Sequence, residues 1–303
     1  MPRLSAIVPA TNRPPTLDAC LAALARARPD EVIVVEEPAG SGPAAARNEG
    51  AARATGDVLV FVDADVLVHD DALDRIRAAM GARPELVGLL GSYDDRVVTR
   101  GLVAGFRNLL HHVVHQRSAG PAATFWAGLG AVRRDAFAAA GGFDAGRYPR
   151  PSIEDVELGG RLAALGPLEL DPAVQGTHCK EWTLGSMVAT DVLRRGIPWV
   201  ELIVERGEVP STLNLGARER MSVVAGVGAA LGAIRGRPAL AAAALGAQVA
   251  LNRDLYGLLR RRLGTRGAVA GSGLHVVHHV CAAASVPAGV ASGLRRRARA
   301  RRR

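Results

Sequence analysis

The sequence predicts an α/β protein with a doubly wound, mostly parallel sheet, and three observations predict it. Short runs of β-branched residues alternate with helix-like segments through the first two thirds of the chain. Polar residues follow directly after several of these runs. The chain has 303 residues, which is enough for one large domain and an appendage. Ligands bind where the strands of such a sheet end, so these polar residues mark the expected site.

The elements follow from local pattern. Leu4–Val8 is predicted as a strand that Pro9 ends, and Pro14-Pro15 opens a helix whose apolar residues recur at i, i+3, i+4 and i+7. Gly and Pro residues separate the later segments. These segments are, in order, a strand at Glu31–Val35, a helix at Ala44–Ala54, a strand at Val58–Val62, a helix at Asp70–Met80 and a strand at Leu86–Leu90.

Asp63-Ala64-Asp65 ends the third strand and is the most informative single feature. Two buried and unpaired carboxylates would cost too much free energy, so they need a cation or a wet cleft. At spacing i, i+2 both leave the strand on one side, while Ala64 points away. We predict that Asp63 and Asp65 hold a divalent metal and leave its remaining positions to phosphates. An acidic pair that only caps the next helix is the alternative.

Three further segments contain candidate site residues. The glycines around Gly128 either bring the backbone close to a ligand or simply occupy ordinary turns. Glu154 and Asp155 begin a helix, where acids commonly complement the helix dipole, but a carboxylate that faces a cleft can act as a general base. His178, close to Lys180, either completes the metal site, positions a phosphate or is structural.

Two groups of histidines outside these segments are interpreted as solvated or interfacial helix faces. They are His111, His112 and His115 in one stretch, and His275, His278 and His279 in another.

Most of the basic charge belongs to the C-terminal tail. The formal net charge is +9, and Arg295–Arg303 contains seven arginines, which leaves +2 for the rest of the chain. Because no aromatic residue interleaves with these arginines, anionic lipid head groups suit the tail better than nucleic acid does. A disordered, solvated end is the alternative.

The last third of the chain is predicted to associate with a membrane. Its composition changes near residue 205, which suggests domains at 1–205 and 206–303. We predict helices that lie in or re-enter a membrane, with a small helical bundle packed on the main domain as the alternative. The uncharged stretches behind this prediction are Met221–Ile234, Ala239–Leu251 and Gly267–Leu294. Only the last exceeds the roughly 20 residues that a spanning helix needs.

The spacing of the cysteines indicates the redox state of the compartment in which the protein works. Cys20, Cys179 and Cys281 are far apart and form no CxxC pair, which argues against a disulfide framework or a zinc site and for a reducing compartment. No signal peptide is recognised before the first strand. We therefore expect the protein at the cytoplasmic face of the cell membrane.

Several segments together resemble a family-2 glycosyltransferase of the GT-A fold, over roughly the first two thirds of the chain. They are SAIVPATNRPPTL at Ser5–Leu17, VIVVEEPAGSGPAAARNEGA at Val32–Ala51, GDVLVFVDADV at Gly56–Val66, FWAGLGAVRRDAFAAAGGFD at Phe125–Asp144 and IEDVELGGRLAALG at Ile153–Gly166. The resemblance implies a nucleotide-diphosphate sugar donor, Mg²⁺ or Mn²⁺, and inversion at the anomeric carbon. The Gln-x-x-Arg-Trp motif of processive members is absent, which implies transfer of a single sugar.

The resemblance also implies roles for individual residues. Asp155 matches the catalytic base of the family's Glu-Asp motif, with Glu154 beside it. Asp65 is the implied direct metal ligand of the acid-x-acid motif, with Asp63 as its partner. His178 is a further candidate ligand, predicted from its own position in the sequence and not from the resemblance. Glu36 and Glu37 stand where the family usually has an Asp pair that contacts the base or ribose. The implied donor-binding residues are Pro9, Thr11, Glu36, Glu37, Arg47, Asn48, Asp63 and Gly128.

Two other functions remain open on the sequence. A nucleotidyltransferase also uses an acidic metal site on a similar sheet, but Ala10–Thr16 lacks the glycine-rich basic loop that such an enzyme needs. An inactive membrane scaffold would not need to retain Asp63, Asp65 and Asp155. Because helical segments ending in arginines follow the enzyme-like part, we expect a lipid-linked or membrane-proximal acceptor.

Overall fold

The computed structural model describes residues 1–38, 41–207 and 216–300. Within these ranges the chain divides into two compact units. Unit 1 comprises Met1–Val98 and His115–Lys180, and unit 2 comprises Thr99–Val114 and Glu181–Arg303. The domain limit predicted at residue 205 stays a prediction. Three arginines of the predicted tail, 301–303, lie outside the described residues.

The described residues form eight strands and eleven α-helices. The strands are β1 (Leu4–Pro9), β2 (Glu31–Val35), β3 (Val58–Val62), β4 (Val66–Val68), β5 (Gly88–Tyr93), β6 (Gly120–Ala122), β7 (Leu129–Arg133) and β8 (Leu168–His178). The helices are α1 (Leu17–Ala27), α2 (Pro43–Arg53), α3 (Ala72–Ala82), α4 (Leu102–Arg117), α5 (Arg134–Ala139), α6 (Glu154–Ala163), α7 (Leu184–Ala189), α8 (Ile197–Arg206), α9 (Ala217–Ile234), α10 (Pro238–Leu251) and α11 (Arg253–Ala300).

Unit 1 is an α/β unit around one mixed sheet in the order β2-β1-β3-β7-β5-β8-β4, with β6 on β8. β1 pairs in parallel with β2 and β3, and β5 pairs in parallel with β8. β7 joins these groups by antiparallel pairing to β3 and β5. Five strands therefore run in one direction, and the carboxyl ends of β1, β2, β3, β5 and β8 point to the same edge.

The predicted elements of unit 1 are confirmed at the centre of the sheet. Every residue of β3 is buried, as its unbroken apolar run predicts for a strand covered on both faces. The fourth predicted strand lies about two residues later, because Val87 donates its backbone N–H to Pro167 before the ladder begins. The short apolar strand predicted between the glycine clusters is confirmed as β7, but its antiparallel direction was not predicted. The short strand β4 was not predicted, since three residues give too little pattern.

Unit 2 is helical. A π-helical segment, Thr190–Gly196, joins α7 to α8, and α9 and α10 form a hairpin through Arg235-Gly236-Arg237. α11 is interrupted at Gly264, whose φ of 73° is left-handed. By length and composition, α11 is the one helix of the described chain that could cross a membrane. The helices predicted from the uncharged stretches are confirmed.

The prediction of solvated histidine faces is wrong for three side chains. His115 is buried in unit 1, and His275 and His279 are buried in unit 2. Each is hydrogen bonded or stacked on another ring, so these histidines belong to the interior of their units.

Candidate active site at the carboxyl edge of the sheet

The loop after β3 presents Asp63 and Asp65 at the carboxyl edge. Backbone hydrogen bonds fix it: Asp63 N–H donates to Gly128 O at 3.1 Å, and Cys179 N–H donates to Asp65 O at 2.8 Å. Ala64 is 4% exposed, so it points into the core as the spacing predicted. The two carboxylates are only partly buried and reach different partners.

Asp63 is held by Arg47, which also reaches the start of α6. The guanidinium donates from Nη2 to Asp63 Oδ1 at 2.6 Å and from Nη1 to Glu154 Oε1 at 3.0 Å. The Arg47 side chain is 5% exposed. Its burial alone would lower the pKa of Arg47, but the carboxylates of Asp63, Glu154 and Asp155 outweigh it and raise that pKa. A permanent buried charge therefore links the loop after β3 to α6.

Asp65 faces His178 at the end of β8. Asp65 Oδ1 lies 3.7 Å from His178 Nε2. Burial raises the pKa of Asp65, and the charges of Lys180 and Arg47 only partly oppose it. The His178 ring stacks on Tyr93, with ring centroids 4.0 Å apart and an interplanar angle of 5°. This stacking fixes the plane in which the imidazole meets the carboxylate.

A divalent cation fits this carboxylate and imidazole. Asp65 supplies a hard oxygen and His178 a nitrogen, and a bound cation would oppose the burial that raises the pKa of Asp65. The described residues contain no group of three or more His, Cys, Asp or Glu side chains that could hold a metal. Mg²⁺ is commonly held by one or two carboxylates together with substrate phosphates. Asp63 as a further ligand stays a prediction.

Glu154 and Asp155 occupy different environments although they are neighbours at the start of α6. Glu154 is buried and binds Arg47 and the backbone N–H of Ser152, the latter at 2.8 Å. Asp155 is partly exposed and accepts from Ala127 N–H at 3.3 Å and Val156 N–H at 2.8 Å. Glu154 is therefore suited to support the site, and Asp155 to meet a substrate.

The residues predicted to bind a nucleotide surround the ends of β1 and β2. Pro9 ends β1, and Thr11 donates from Oγ1 to Ser41 O at 2.6 Å. Glu36 accepts from Arg13 Nε at 2.5 Å. Their contacts with a nucleotide, and that of Glu37, stay predictions.

Asn48 and Gly128 have structural contacts of their own. Asn48 donates to Phe143 O and accepts from Phe143 N–H, both at 2.8 Å, so it ties α2 to the loop after α5. A Cβ on Gly128 would lie 2.6 Å from the Trp126 ring, so this glycine makes room for an indole. Whether either residue also contacts a donor stays a prediction.

Residues 26–140 match the family model described as Glycosyl transferase family 2. This segment of the chain is similar to family-2 glycosyltransferases. The matched segment includes Arg47, Asp63 and Asp65, whereas Asp155 and His178 lie beyond it. The chain is accordingly a glycosyltransferase, and its α/β unit has the GT-A fold.

Solved structures of glycosyltransferases are similar to this one. The mannosyltransferase PcManGT from Pyrobaculum calidifontis, in complex with GDP-Man and Mn²⁺, is 20% identical with a TM-score of 0.57, over 94% of this chain and 87% of that one. GalNAc-T7, with UDP, GalNAc and Mn²⁺, is 15% identical with a TM-score of 0.50, over 68% of this chain and 48% of that one. No curated protein sequence matches significantly. At these identities the likeness establishes the fold.

Sequence reasoning missed an aromatic cluster in the glycosyltransferase domain. Trp126 lies edge-on to Tyr93 at 4.6 Å between ring centroids and 4.3 Å from the His115 ring. Tyr93 ends β5 at the carboxyl edge, and Trp126 stands in the segment that resembles the family. The position of Tyr93 after an apolar run was the available signal, but the partner rings come from distant parts of the sequence.

Proposed function

We propose that this protein is an inverting glycosyltransferase that moves one sugar from a nucleotide-diphosphate sugar to an acceptor hydroxyl. The observation that supports it best is the meeting of Asp63, Glu154 and Asp155 around Arg47, at the sheet edge where Asp65 faces His178. One place thus offers a metal-binding pair and a carboxylate suited to accept a proton.

Asp155 acts as the general base in this proposal. It removes the proton from the acceptor hydroxyl as that oxygen attacks the anomeric carbon from the face opposite the leaving group. Asp65 and His178 would hold Mg²⁺ or Mn²⁺, which would neutralise negative charge on the nucleotide-diphosphate leaving group. Arg47 holds Asp63 and Glu154 in place by its hydrogen bonds to both carboxylates. Each catalytic cycle transfers a single sugar, because no processive motif is recognised.

The nucleotide-diphosphate donor and the metal have support from solved relatives. The structure of PcManGT contains GDP-Man and Mn²⁺, and that of GalNAc-T7 contains UDP, GalNAc and Mn²⁺. Both proteins share the GT-A fold with this chain. We propose that Pro9, Thr11, Glu36 and Glu37 surround the nucleotide base and ribose.

We further propose that the enzyme works at the cytoplasmic face of the cell membrane on a lipid-linked or membrane-proximal acceptor. The uncharged helices of unit 2 and the arginines of the tail support this location.

A thermal-shift screen of nucleotide sugars with and without Mn²⁺ tests donor binding. We expect one nucleotide class to raise the unfolding temperature, more strongly with Mn²⁺, and EDTA to reverse the additional shift. No shift with any nucleotide sugar, at concentrations up to several millimolar, would contradict the proposal. A shift that is identical with Mn²⁺ and EDTA would remove the metal from it.

Inversion is tested on the product. With the donor identified by that screen, we expect a donor with an α-linked sugar to give a β-linked product, as read from the anomeric coupling constant by NMR. An α-linked product would rule out the single-displacement mechanism.

A further inference from the structure

In helices α9, α10 and α11 of unit 2, several polar side chains are buried and several large apolar side chains are exposed. Val224 is 73% exposed, Ile234 80% and Val269 69%. By contrast, Gln248 is 0% exposed and His275 2%. A helical bundle that is stable in water has the opposite arrangement, with the apolar stripe of each helix facing the core.

The buried polar side chains bond to one another. Asn252 Nδ2 donates to Ser222 Oγ at 2.7 Å, and Ser222 Oγ lies 2.8 Å from His279 Nε2. Gln248 Nε2 lies 2.7 Å from Tyr256 Oη, which lies 2.9 Å from His275 Nδ1. These hydrogen bonds join α9, α10 and α11. A polar interior of this kind holds helices together where the surroundings give no hydrophobic driving force between them.

Helix α10 shows this exposure of apolar side chains most clearly. It has 14 residues, and Gln248 is the buried one. Its exposed residues are Ala, Leu, Val, Gly and Pro alone: Pro238, Ala239, Leu240, Ala242, Ala243, Gly246, Ala247, Val249 and Ala250. Water therefore meets an apolar surface on most of this helix, which is a feature of interaction sites and membrane contacts.

Small residues line the contacts between these helices. A Cβ on Gly232 would lie 2.7 Å from the backbone N of Ala241, so α9 and α10 approach each other closely. On α11, a Cβ on Gly289 would lie 2.5 Å from Val200 Cβ, and one on Gly293 would lie 2.7 Å from Val204 Cβ. Close approach at small residues is the packing that helices use in lipid.

Arginines bound each uncharged stretch. Residues 221–234 lie between Arg220 and Arg235, residues 238–252 between Arg237 and Arg253, and residues 267–294 between Arg266 and Arg295. Positive charge at the borders of apolar helices complements anionic phospholipid head groups.

We propose that α9, α10 and residues 267–294 of α11 are immersed in the head-group and acyl boundary of an anionic phospholipid bilayer, with their apolar faces toward the hydrocarbon. The α9–α10 hairpin lies along the membrane plane. Helix α10 is about 21 Å long at 1.5 Å per residue, whereas the hydrocarbon core is about 30 Å thick. Insertion of the hairpin tip first would leave Arg235 and Arg237 within the hydrocarbon, where charge is costly.

Flotation of the full-length protein with vesicles tests the immersion, which rests on the proposed membrane location but not on sugar transfer. The vesicles contain phosphatidylcholine with or without phosphatidylglycerol. We expect the purified protein to float with the anionic vesicles and the V224N/I234N/V269N variant to partition at least about tenfold less, because each polar side chain would enter lipid. The matched control V32N/L165N changes apolar residues of unit 1 that are 43% and 48% exposed, and it should float like the parent.

Three results would overturn the immersion. One is a parent protein that stays in solution without detergent and does not float. Another is a V224N/I234N/V269N variant that floats as well as the parent. A third is a discrete detergent-free oligomer that only this variant breaks apart, because a second copy of the chain would then cover the apolar surface.

Quenching by brominated lipids tests the orientation of the hairpin. Tryptophan introduced as V224W or I234W should be quenched more by lipids brominated near the head group than by lipids brominated near the chain end, after subtraction of the parent signal. Deep quenching of I234W alone would contradict the in-plane hairpin.

The two proposals fail separately. Thermal shift with nucleotide sugars on the same preparations reports donor binding, and flotation reports lipid contact. If the protein floats but binds no donor, the result supports the immersion and contradicts the proposed sugar transfer. If the protein binds donor but does not float, the result contradicts the immersion alone.

Discussion

At the scale of single residues, the guanidinium of Arg47 lies between carboxylates from two distant parts of the chain. It bonds Asp63 and Glu154 while being almost entirely removed from water. A buried charge in this position is tolerated only with its partners, so removing one member leaves the others uncompensated.

Substitution of Arg47 tests this dependence. We expect Arg47→Met to lower the free energy of unfolding of unit 1 by about 3–5 kcal/mol, since the buried carboxylate of Glu154 and the partly buried carboxylate of Asp63 lose their countercharge. Urea denaturation followed by tryptophan fluorescence measures the change. Arg13→Met is the control, because the Arg13–Glu36 pair is exposed and should contribute nothing measurable. Equal effects of the two substitutions would show that the buried Arg47 pairs stabilise unit 1 no more than the exposed Arg13–Glu36 pair does.

Asp155 and Glu154 should respond differently to removal of their charge. We expect Asp155→Asn to slow transfer by roughly 10²- to 10⁴-fold with little change in donor affinity, because it loses only the proton acceptor. Glu154→Gln should instead weaken the folded state, since this side chain pairs with Arg47. Initial rates, donor titrations and denaturation of both variants separate these effects. Full activity of Asp155→Asn would show that another group is the base.

His178 should matter for donor binding only through the metal. We expect His178→Ala and Asp65→Ala to weaken donor binding in Mn²⁺ by at least about tenfold, or about 1.4 kcal/mol. In EDTA both variants should bind like the parent. His69→Ala is the matched control, because His69 belongs to a separate pair with Asp94 at 2.9 Å. Calorimetric titration with and without metal measures these affinities. Equal losses with and without metal would indicate a structural role.

The sequence predicted some of these residues and missed how they are connected. Asp63 and Asp65 stand out because an apolar strand ends in acids, which is a local pattern. The link from Arg47 to Glu154 joins positions far apart in sequence, and only the fold sets their distance. The cluster of Tyr93, Trp126 and His115 was missed for the same reason, since its rings are not neighbours in the chain.

At the scale of elements, the position of α6 depends on Gly159. A Cβ on this residue would lie 1.9 Å from the backbone N of Phe125 and 2.4 Å from the carbonyl carbon of Thr124. Helix α6 thus packs directly on the backbone of residues 124–125, close to Ala127, which donates to Asp155. A shift of this helix would move Asp155.

Gly159→Ala tests this packing. The added methyl group meets backbone that cannot rotate away, so we expect a loss of about 1–3 kcal/mol in unfolding free energy. The displacement of Asp155 should also lower the transfer rate by about tenfold or more. Gly246→Ala in α10 is the control, since its methyl group meets open space and favours the helix. Chemical denaturation and initial rates are the measurements, and a neutral Gly159→Ala would show that α6 can move without consequence.

Elements were predictable where the pattern is strong over several residues. Strands β1, β2 and β3 and helices α1, α2 and α3 follow from apolar runs and periodicity. β4 has three residues and β6 three, so neither offers enough pattern to recognise. The antiparallel direction of β7 is a property of the sheet, which no local signal contains.

At the scale of the whole molecule, the two units differ in which side chains they bury and which they expose. The core of unit 1 is built from Val, Leu, Ile and Ala around a sheet, and its charged residues are outside or paired. Helices α9 to α11 of unit 2 bury Ser, Gln and His side chains beside apolar ones, and they expose several Val, Leu and Ile side chains. The sequence predicted that these helices are apolar. It did not predict which side faces inward, because α10 is apolar on nearly every face and has little periodicity.

The distribution of charge predicts how the chain meets an anionic membrane. Arg295, Arg297 and Arg299 are exposed at the end of α11. Each arginine near an anionic surface contributes about 1 kcal/mol, so changing all three to Gln should weaken binding to phosphatidylglycerol vesicles by about 100-fold at low salt. The difference should shrink at higher ionic strength because salt screens these charges.

A variant of equal net charge separates this local effect from overall charge. Arg3, Arg53 and Arg134 are exposed in unit 1, and their change to Gln removes the same three charges. Because these arginines are not at the border of an apolar helix, we expect vesicle binding close to that of the parent. Sedimentation with vesicles over a range of salt concentrations measures both variants. Equal weakening by both would mean that net charge attracts the protein, and that the end of α11 has no special contact with lipid.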